Sequence, residues 1–235
     1  MVAAAQQRAE PWRARLFVPN YPMGEAAKYA GMSAAAVRSW HAPAGNKAPT
    51  LPARESRSEL SYLQLIEIAV VASFRKSGIS LPMIRQARAF AAEKFKTDHP
   101  FAEYRFKTDG RTLMADLDQL VGDDGKDKLV NVNKKGQLEW DAILGARLRE
   151  FEYEDDLAIR WHVAGENSPV FIDPRISFGA PVIRGKPTWL FRDRWVAQEP
   201  IATTARDFGV KVSDVEAALK FEGIDISAPP ESWLN

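Results

Sequence analysis

Residues 21–40 read YPMGEAAKYAGMSAAAVRSW and contain two short helical patterns separated by a glycine. The first pattern covers residues 23–29, and Gly31 follows it where a residue that tolerates a positive φ turns the chain at low cost. Ser33 is a natural N-cap for the second pattern, residues 34–40. Two short helices joined by a glycine-containing turn are typical of a helix-turn-helix, and the sequence predicts that motif here.

The flanking residues extend this unit toward the C-terminus. Residues 41–60 are interrupted by prolines and a glycine, which predicts a loop or an extended β-wing. Ser61 and Gln64 form a capping box for a helix over residues 62–76. Gly78 ends that helix, and Ser80 begins another that has Pro82 in its first turn. The pattern therefore continues as a second helix pair.

Two stretches together resemble the DNA-binding part of MerR-type regulators. In residues 21–40, Gly-Glu-Ala (24–26), Gly-x-Ser (31–33) and Val37-Arg38 stand at that family's spacing. Residues 60–87, LSYLQLIEIAVVASFRKSGISLPMIRQA, resemble the family's second helix pair. The resemblance implies a winged helix-turn-helix that binds duplex DNA and regulates transcription.

A recognition helix places side chains of its N-terminal part against base edges in the major groove. Arg38 could donate to guanine O6 and N7, and a phosphate contact is the alternative. Basic residues on the presumed wing would meet backbone phosphates, with a flexible basic loop as the alternative. The candidate DNA-binding residues are Ser33, Ala34, Ala35, Arg38, Ser39, His41, Lys47, Arg54 and Arg57.

The middle of the chain has a different pattern. Residues 101–117, FAEYRFKTDGRTLMADL, alternate in polarity around Asp109-Gly110, which is a strong hairpin signal. Residues 128–140, KLVNVNKKGQLEW, repeat the theme around Lys135-Gly136. These patterns predict a small β meander, followed by a connecting helix near residues 140–148.

The last seventy residues begin with extended, turn-rich sequence and continue with three short helical patterns, near residues 189–197, 201–208 and 214–221. They predict a small helix-turn-helix-like domain. Residues 171–222 resemble the domain of unknown function 433. The family's Asp-Pro-x-Ile, Gly-x-Pro-x-Ile-x-Gly and Val-x-x-Ala-Leu appear at residues 173–176, 179–185 and 215–219.

Domains of this second family commonly stand beside PIN-like ribonuclease toxins, and a MerR-like N-terminus joined to one resembles a VapB-type antitoxin. The resemblance implies a toxin partner encoded by the adjacent gene, whose metal-binding carboxylates a basic side chain could meet. Tryptophan and arginine also dominate protein interfaces. The candidate toxin-binding residues are Arg184, Lys186, Arg192 and Trp195, whereas Trp189 is expected in the core.

Composition narrows the possible chemistry. The chain has 235 residues and no cysteine, which excludes disulfides, thiolate metal sites and a cysteine nucleophile. His41, His99 and His162 lack metal-ligand spacing. No Ser/His/Asp set or phosphate loop has supporting context, so we expect no catalytic residues, metal or cofactor.

Charge and hydropathy indicate which partners and which cellular location to expect. Residues 20–95 carry ten basic and five acidic side chains, whereas residues 166–235 carry eight and ten. This asymmetry suits a nucleic-acid-binding module joined to another module, and an unevenly charged solvated surface is the alternative. No apolar run is long enough to cross a bilayer, and the N-terminus lacks a signal peptide. We therefore expect a cytoplasmic protein with no membrane partner.

The sequence thus predicts an α+β, mostly α protein in four parts: a flexible arm (1–19), a MerR-like winged helix-turn-helix (20–95), a β meander with a connecting helix (96–165), and a small helical domain that binds a toxin or oligomerises (166–235). The predicted function is that of an antitoxin of a type II toxin–antitoxin module, a homodimer that neutralises its toxin and represses its own operon. The alternative is a stand-alone MerR-like regulator with a C-terminal oligomerisation or second DNA-binding domain.

Overall fold

The computed structural model describes residues 11–43, 48–52, 59–104, 106–110, 112 and 144–227. These residues are mostly helical, with three two-stranded sheets among them. The protein is therefore of the α+β class with helices predominating, as predicted. The chain forms two compact units, which divide between Ile159 and Arg160.

The N-terminal unit begins with a short helix where the sequence predicts a flexible arm. Helix α1 spans Pro11–Arg15, and Leu16 directly after it is 1% exposed. The carbonyl of Leu16 accepts the N–H of Leu63 at 3.2 Å. The arm prediction is wrong for residues 11–16, because burial of one leucine attaches this segment to the core.

Two short helices follow, at the predicted positions. Strand β1 (Tyr21–Pro22) leads into α2 (Met23–Ala30), and α3 is Ala34–Trp40. Gly31 ends α2 with a φ of 66°, a left-handed conformation that glycine adopts without steric cost. The N–H of Met32 then donates to the carbonyl of Ala27 at 2.9 Å, which satisfies an open carbonyl at the helix end.

The core of this unit is built around α4 (Tyr62–Lys76), in which every residue from Tyr62 to Phe74 is buried. Ser61 caps it with the predicted box: Gln64 N–H donates to Ser61 Oγ at 3.4 Å, and Ser61 N–H donates to Gln64 Oε1 at 3.0 Å. Strand β2 (Glu59–Leu60) pairs antiparallel with β1 just before α4. The α2–α3 pair is thereby held to the central helix.

A buried carboxylate links α4 to the elements that follow it. Helix α5 spans Leu81–Phe95, and a short 3-10 turn covers Pro100–Ala102. Glu67 is 1% exposed; it forms an ion pair with Arg88 of α5 and accepts the N–H of Phe101 at 2.7 Å. A buried charge is tolerated when it is paired and hydrogen-bonded, and this one is both.

The predicted hairpin at Asp109-Gly110 is wrong, because residues 106–110 are helical and Gly110 is buried. Phe106 is fully buried, and its ring lies 4.7 Å from that of Phe101. Burial of this aromatic ring outweighs a local turn propensity. The second predicted turn, Lys135-Gly136, lies outside the described residues.

The hairpin in this region lies further along the chain. Helix α6 (Ala146–Arg149) precedes strands β3 (Phe151–Glu154) and β4 (Leu157–Trp161). Asp155 and Asp156 join the strands with φ values of 48° and 66°, the conformation of a type I′ hairpin turn. The hairpin thus uses an Asp-Asp turn. The chain is helical over residues 144–149, at the end of the predicted connecting helix, and the earlier part of that prediction lies outside the described residues.

The C-terminal unit is a three-helix arrangement beside a small hairpin. Strands β5 (Val182–Ile183) and β6 (Lys186–Pro187) pair antiparallel and precede helices α7 (Thr188–Val196), α8 (Ile201–Phe208) and α9 (Val212–Phe221). The side chains at most 1% exposed include Trp161, Ile172, Val182, Phe191, Val215 and Leu219. The unit begins before the predicted residue 166, because Trp161 belongs to its core.

Candidate nucleic-acid interface and candidate protein-binding surface

Helix α3 has an inner and an outer side. Val37 and Trp40 are buried at 0% and 2% exposure, and they hold the helix on the unit. Ala35 and Arg38 are exposed, so they lie on the outer side. The outer side therefore combines a small residue with a cation.

The N-terminal end of α3 is capped by the predicted residue. Ser33 Oγ accepts the N–H of Ala36 at 3.1 Å, and Ser33 itself is exposed. Ser39 is also exposed, and its hydroxyl donates to the carbonyl of Ala36 at 2.6 Å. Ala34 is half-buried at the start of the helix. The structure thus brings Ser33, Ala34, Ala35, Arg38 and Ser39 together on one short helix.

Arg38 is the cation of this surface. Within the described ranges, its guanidinium makes no hydrogen bond or ion pair. An exposed guanidinium on a capped helix can donate two parallel hydrogen bonds to guanine or to a phosphate. The geometry is compatible with both alternatives.

His41 follows α3 and is half-buried. Its ring contacts the protein's own backbone, so it is not part of the exposed outer side of the helix. Its Nδ1 lies 2.7 Å from the carbonyl of Pro52, and its Nε2 is buried. The N–H of Leu51 also donates to the carbonyl of Trp40 at 3.0 Å. His41 therefore fastens residues 48–52 to the end of α3, which differs from the predicted phosphate contact. Lys47, Arg54 and Arg57 lie outside the described residues.

Lys76 helps to position α3, although the sequence pattern does not indicate this role. From the C-terminal end of α4, its Nζ donates to the carbonyl of Ala30 at 3.1 Å, and a Cβ at Gly31 would lie 2.7 Å from that Nζ. Lys76 thus fixes the α2–α3 turn from another helix. The contact joins residues far apart in sequence, so no local pattern could have indicated it.

In the C-terminal unit, Arg184 and Gly185 form the tip of the β5–β6 hairpin with φ values of 50° and 78°. The Arg184 side chain is 61% exposed, and its Nε lies 3.4 Å from Asp214 Oδ2. Asp214 also accepts the N–H of Lys211 at the start of α9 at 3.2 Å. Lys186, just beyond the tip, is half-buried. The predicted pair Arg184 and Lys186 therefore lies on one hairpin.

The two tryptophans of α7 lie opposite to prediction. Trp189, expected in the core, is 44% exposed, while Phe191 is fully buried in its place. Trp195 follows Phe191 by one helical turn, on the inner side, and is half-buried. Residues Thr188, Phe191 and Trp195 share the inner side, so the expectation for Trp189 is wrong and Trp195 is not the more exposed ring.

Arg192 lies on the outer side of α7 within a group of carboxylates. Its guanidinium bonds Asp193 Oδ1 at 3.1 and 2.9 Å and lies 3.6 Å from Glu222 Oε2. The hydrogen bond to Asp193, followed by the charges of Asp193 and Glu222, raises the pKa of Arg192. The Arg192 charge is thus already balanced within the chain.

Asp173, from the Asp-Pro-x-Ile motif, is fully buried between two arginines. Arg175 donates to both of its carboxylate oxygens, through Nε at 2.9 Å and through an Nη at 2.8 Å, while Arg160 donates to Oδ2 at 3.2 Å. Burial by itself would raise the pKa of Asp173, but the hydrogen bonds and charge of Arg175, with the charge of Arg160, outweigh it and lower the pKa. This motif residue is structural.

The described residues also bear on metal binding and on membrane insertion. Among the described residues, no group of three or more His, Cys, Asp or Glu side chains could hold a metal ion. In the same part of the chain, no helix combines the length and apolar character that a membrane span requires.

The fold and the two surfaces define a class: a mostly helical α+β protein of two units, with exposed arginines on a short helix of one and on a hairpin of the other. No family model matches the chain, and no curated protein matches it significantly. Among solved structures, it is similar to the X-ray crystal structure of Rv2018 from Mycobacterium tuberculosis. That similarity has a TM-score of 0.73 and 23% identity, and it covers 87% of this chain and 99% of the other. It shows a shared fold.

Proposed function

We propose that this chain is a DNA-binding antitoxin without enzymatic activity of its own. Its N-terminal unit reads operator DNA, and its C-terminal unit neutralises a PIN-like ribonuclease encoded by the adjacent gene. The observation that carries the proposal is the orientation of α3: Val37 and Trp40 anchor the helix while Arg38 and Ala35 face outward. In this reading, α2 and α3 are a winged helix-turn-helix with α3 in the major groove.

Rigid placement of α3 supports this role, because side chains that read base edges must be held by their scaffold. Ser33 caps one end of the helix. His41 and Leu51 fasten the other end to residues 48–52, and Lys76 holds the preceding turn. The candidate wing cations Lys47, Arg54 and Arg57 add phosphate contacts.

The toxin contact is assigned to the β5–β6 hairpin. Arg184 extends from a two-residue tip and is 61% exposed, and Lys186 follows it. A ribonuclease that holds metal with clustered carboxylates offers a matching negative site. Of the four candidate residues, Trp195 fits this role less well because it lies on the inner side of α7. Arg192 is paired with two carboxylates and is 44% exposed, whereas Arg184 is paired with one, Asp214, and is 61% exposed.

The second candidate function is a stand-alone regulator in which the C-terminal unit oligomerises or binds DNA. The arrangement of α8 and α9 favours it, because Gly209 between them has a φ of 64° and repeats the geometry of Gly31. The net charge of residues 166–235 is slightly negative, which is unfavourable for binding along phosphates. We therefore rank the antitoxin first.

The test uses the purified full chain, the DNA upstream of its own gene, and the neighbouring gene product. We expect salt-dependent DNA binding and stoichiometric inhibition of ribonuclease activity by the wild type. Replacing Arg184 and Lys186 together with alanine should weaken inhibition and leave DNA binding unchanged. If the wild type binds DNA but does not inhibit the ribonuclease, the chain is the stand-alone regulator. If the wild type does neither, both the antitoxin and the regulator proposals are contradicted.

A further inference from the structure

A lysine of the central helix α4 bonds the end of α2, just before α3. Lys76 is the last residue of α4, and its Nζ donates to the carbonyl of Ala30, the last residue of α2, at 3.1 Å. The last carbonyls of a helix lack a partner within it, and the helix dipole favours a cation at that end. Lys76 therefore satisfies the end of α2 from a position 46 residues further along the chain.

The contact leaves no room for a side chain at Gly31. A Cβ built at Gly31 would lie 2.7 Å from Lys76 Nζ, closer than such atoms approach other groups in proteins. Glycine is thus required here for two reasons, its φ of 66° and the space that the ammonium occupies. The lysine lies directly against the turn that precedes α3.

The C-terminal unit contains the same turn without such a cation. Gly209 between α8 and α9 has a φ of 64°. The N–H of Val210 donates to the carbonyl of Ala205 at 3.0 Å, which repeats the hydrogen bond that follows Gly31. Among the described residues outside the adjoining chain, nothing lies within 4 Å of a Cβ built at Gly209. A glycine and the backbone are therefore enough to form the turn, and Lys76 has a different role.

We propose that Lys76 determines how sharply the chain discriminates between DNA sequences, and that it acts through α3 rather than by binding a phosphate. This inference rests on the proposed function of the N-terminal unit. Val37 and Trp40 hold the inner side of α3, and Lys76 adds a fixed point just before the N-terminal end that would enter the groove. Side chains that read bases must be held to within about 0.5 Å, so loss of this fixed point impairs base readout first.

The alternative role is a phosphate contact, because Lys76 is an exposed cation. The two roles differ in a measurable way. A phosphate contact strengthens binding to every duplex and makes the affinity more dependent on salt. A contact that positions α3 strengthens binding to the operator only, and it leaves the salt dependence unchanged.

The experiment measures the affinity of the full chain for the DNA upstream of its own gene and for an unrelated duplex, at several salt concentrations. Lys76→Met keeps the length of the side chain and removes the ammonium. We expect it to reduce the ratio of the two affinities about three- to tenfold, with an unchanged salt slope. Lys94→Met removes the same charge from an exposed position of α5 and should leave the ratio unchanged.

Two outcomes of this comparison overturn the proposal. If Lys76→Met weakens binding to both duplexes equally and lowers the salt slope by about one, Lys76 is a phosphate contact. If the ratio and the slope both equal those of the wild type, Lys76 contributes nothing to readout.

A second variant tests the same contact with every charge retained. Gly31→Ala places a methyl group where it displaces the Lys76 ammonium, so it should also lower the ratio. Gly209→Ala introduces an alanine at nearly the same φ where it displaces nothing, and it should leave the ratio unchanged. Once Lys76 is methionine, the methyl at position 31 has no ammonium to displace. The double variant should therefore lose less than the sum of the two single variants, and full additivity would contradict the proposal.

Amide hydrogen exchange tests the contact in the free protein. Lys76→Met should exchange faster than the wild type over residues 23–40, with no change over residues 201–221. Unchanged exchange over residues 23–40 overturns the proposal without reference to DNA. If the wild type does not bind its upstream DNA, the proposed function fails, whereas the exchange measurement still decides whether Lys76 holds the turn before α3.

Discussion

Arg175 donates three hydrogen bonds to the carboxylate of Asp173, which lies only two residues before it in the sequence. The carboxylate accepts the backbone N–H of Arg175 at 2.9 Å and two guanidinium hydrogen bonds from the same residue. Asp173 is fully buried, whereas the Arg175 side chain is 28% exposed. Arg160 adds a second cation while its guanidinium lies over the ring of Phe171 at 4.6 Å. The pair therefore fixes the chain between Ile172 and the β5–β6 hairpin.

Replacing Asp173 with asparagine should destabilise the C-terminal unit. The amide keeps the shape but removes the negative charge, which leaves two arginines facing a neutral group. Because both arginines retain some contact with water, we expect a loss of about 1–3 kcal/mol, below the range for a fully buried pair. Urea denaturation monitored by tryptophan fluorescence measures it. Glu216→Gln on the exposed surface should change little, and an Asp173→Asn variant as stable as the wild type would contradict the role assigned to this carboxylate.

The same carboxylate predicts a pH dependence with a definite sign. The pKa of Asp173 in the folded protein lies below its ordinary value of 3.8, so ionised Asp173 stabilises the fold above that value. The stabilisation is lost as the pH falls through the lowered pKa. The difference in unfolding free energy between the wild type and Asp173→Asn should therefore be constant near neutrality and shrink below about pH 4. A difference that grows in acid would have the wrong sign.

The local elements of the N-terminal unit could be predicted because their signals are local. Ser33 and Ser61 cap the helices that follow them, and Gly31 has the expected left-handed conformation. The exposed outer side of α3 also follows from helical spacing once Val37 and Trp40 are assigned to the core. Capping, glycine turns and helical periodicity act within a few residues, so they can be read from one sequence.

The errors arise where distant residues decide the outcome. Asp109-Gly110 is a good hairpin signal, yet packing of Phe106 on Phe101 makes the segment helical. Both tryptophans of α7 are large enough for a core, and only the tertiary position of Phe191 decides which one faces outward. His41 is a residue type that can donate to a phosphate, but the carbonyl of Pro52 lies against its Nδ1. None of these contacts leaves a trace in local composition.

Replacing Arg38 with alanine should weaken DNA binding by about 1–3 kcal/mol if the guanidinium reads a base. The loss should then be greater for the operator than for unrelated duplex. If Arg38 contacts a phosphate instead, both should weaken equally and the salt dependence should become less steep. Gel-shift titrations at several salt concentrations separate the two cases. Lys94→Ala, which removes an exposed cation of α5, is the control. An Arg38→Ala variant with unchanged affinity and unchanged salt dependence would remove Arg38 from the interface.

The boundary between the units predicts which C-terminal fragment folds. Trp161 is fully buried, and its backbone N–H and carbonyl bond those of Ile172 at 2.9 and 2.8 Å. A fragment of residues 160–235 retains this pairing and the Arg160–Asp173 ion pair, whereas a fragment that begins at the predicted residue 166 loses both. Burying a tryptophan contributes roughly 3–5 kcal/mol, a large part of the stability of so small a domain.

We expect cooperative thermal unfolding for the 160–235 fragment and a broad or absent transition for the 166–235 fragment, as measured by circular dichroism. Adding Trp161→Ala to the longer fragment should reproduce the behaviour of the shorter one, and equal melting of the two fragments would show that the unit begins later than Arg160.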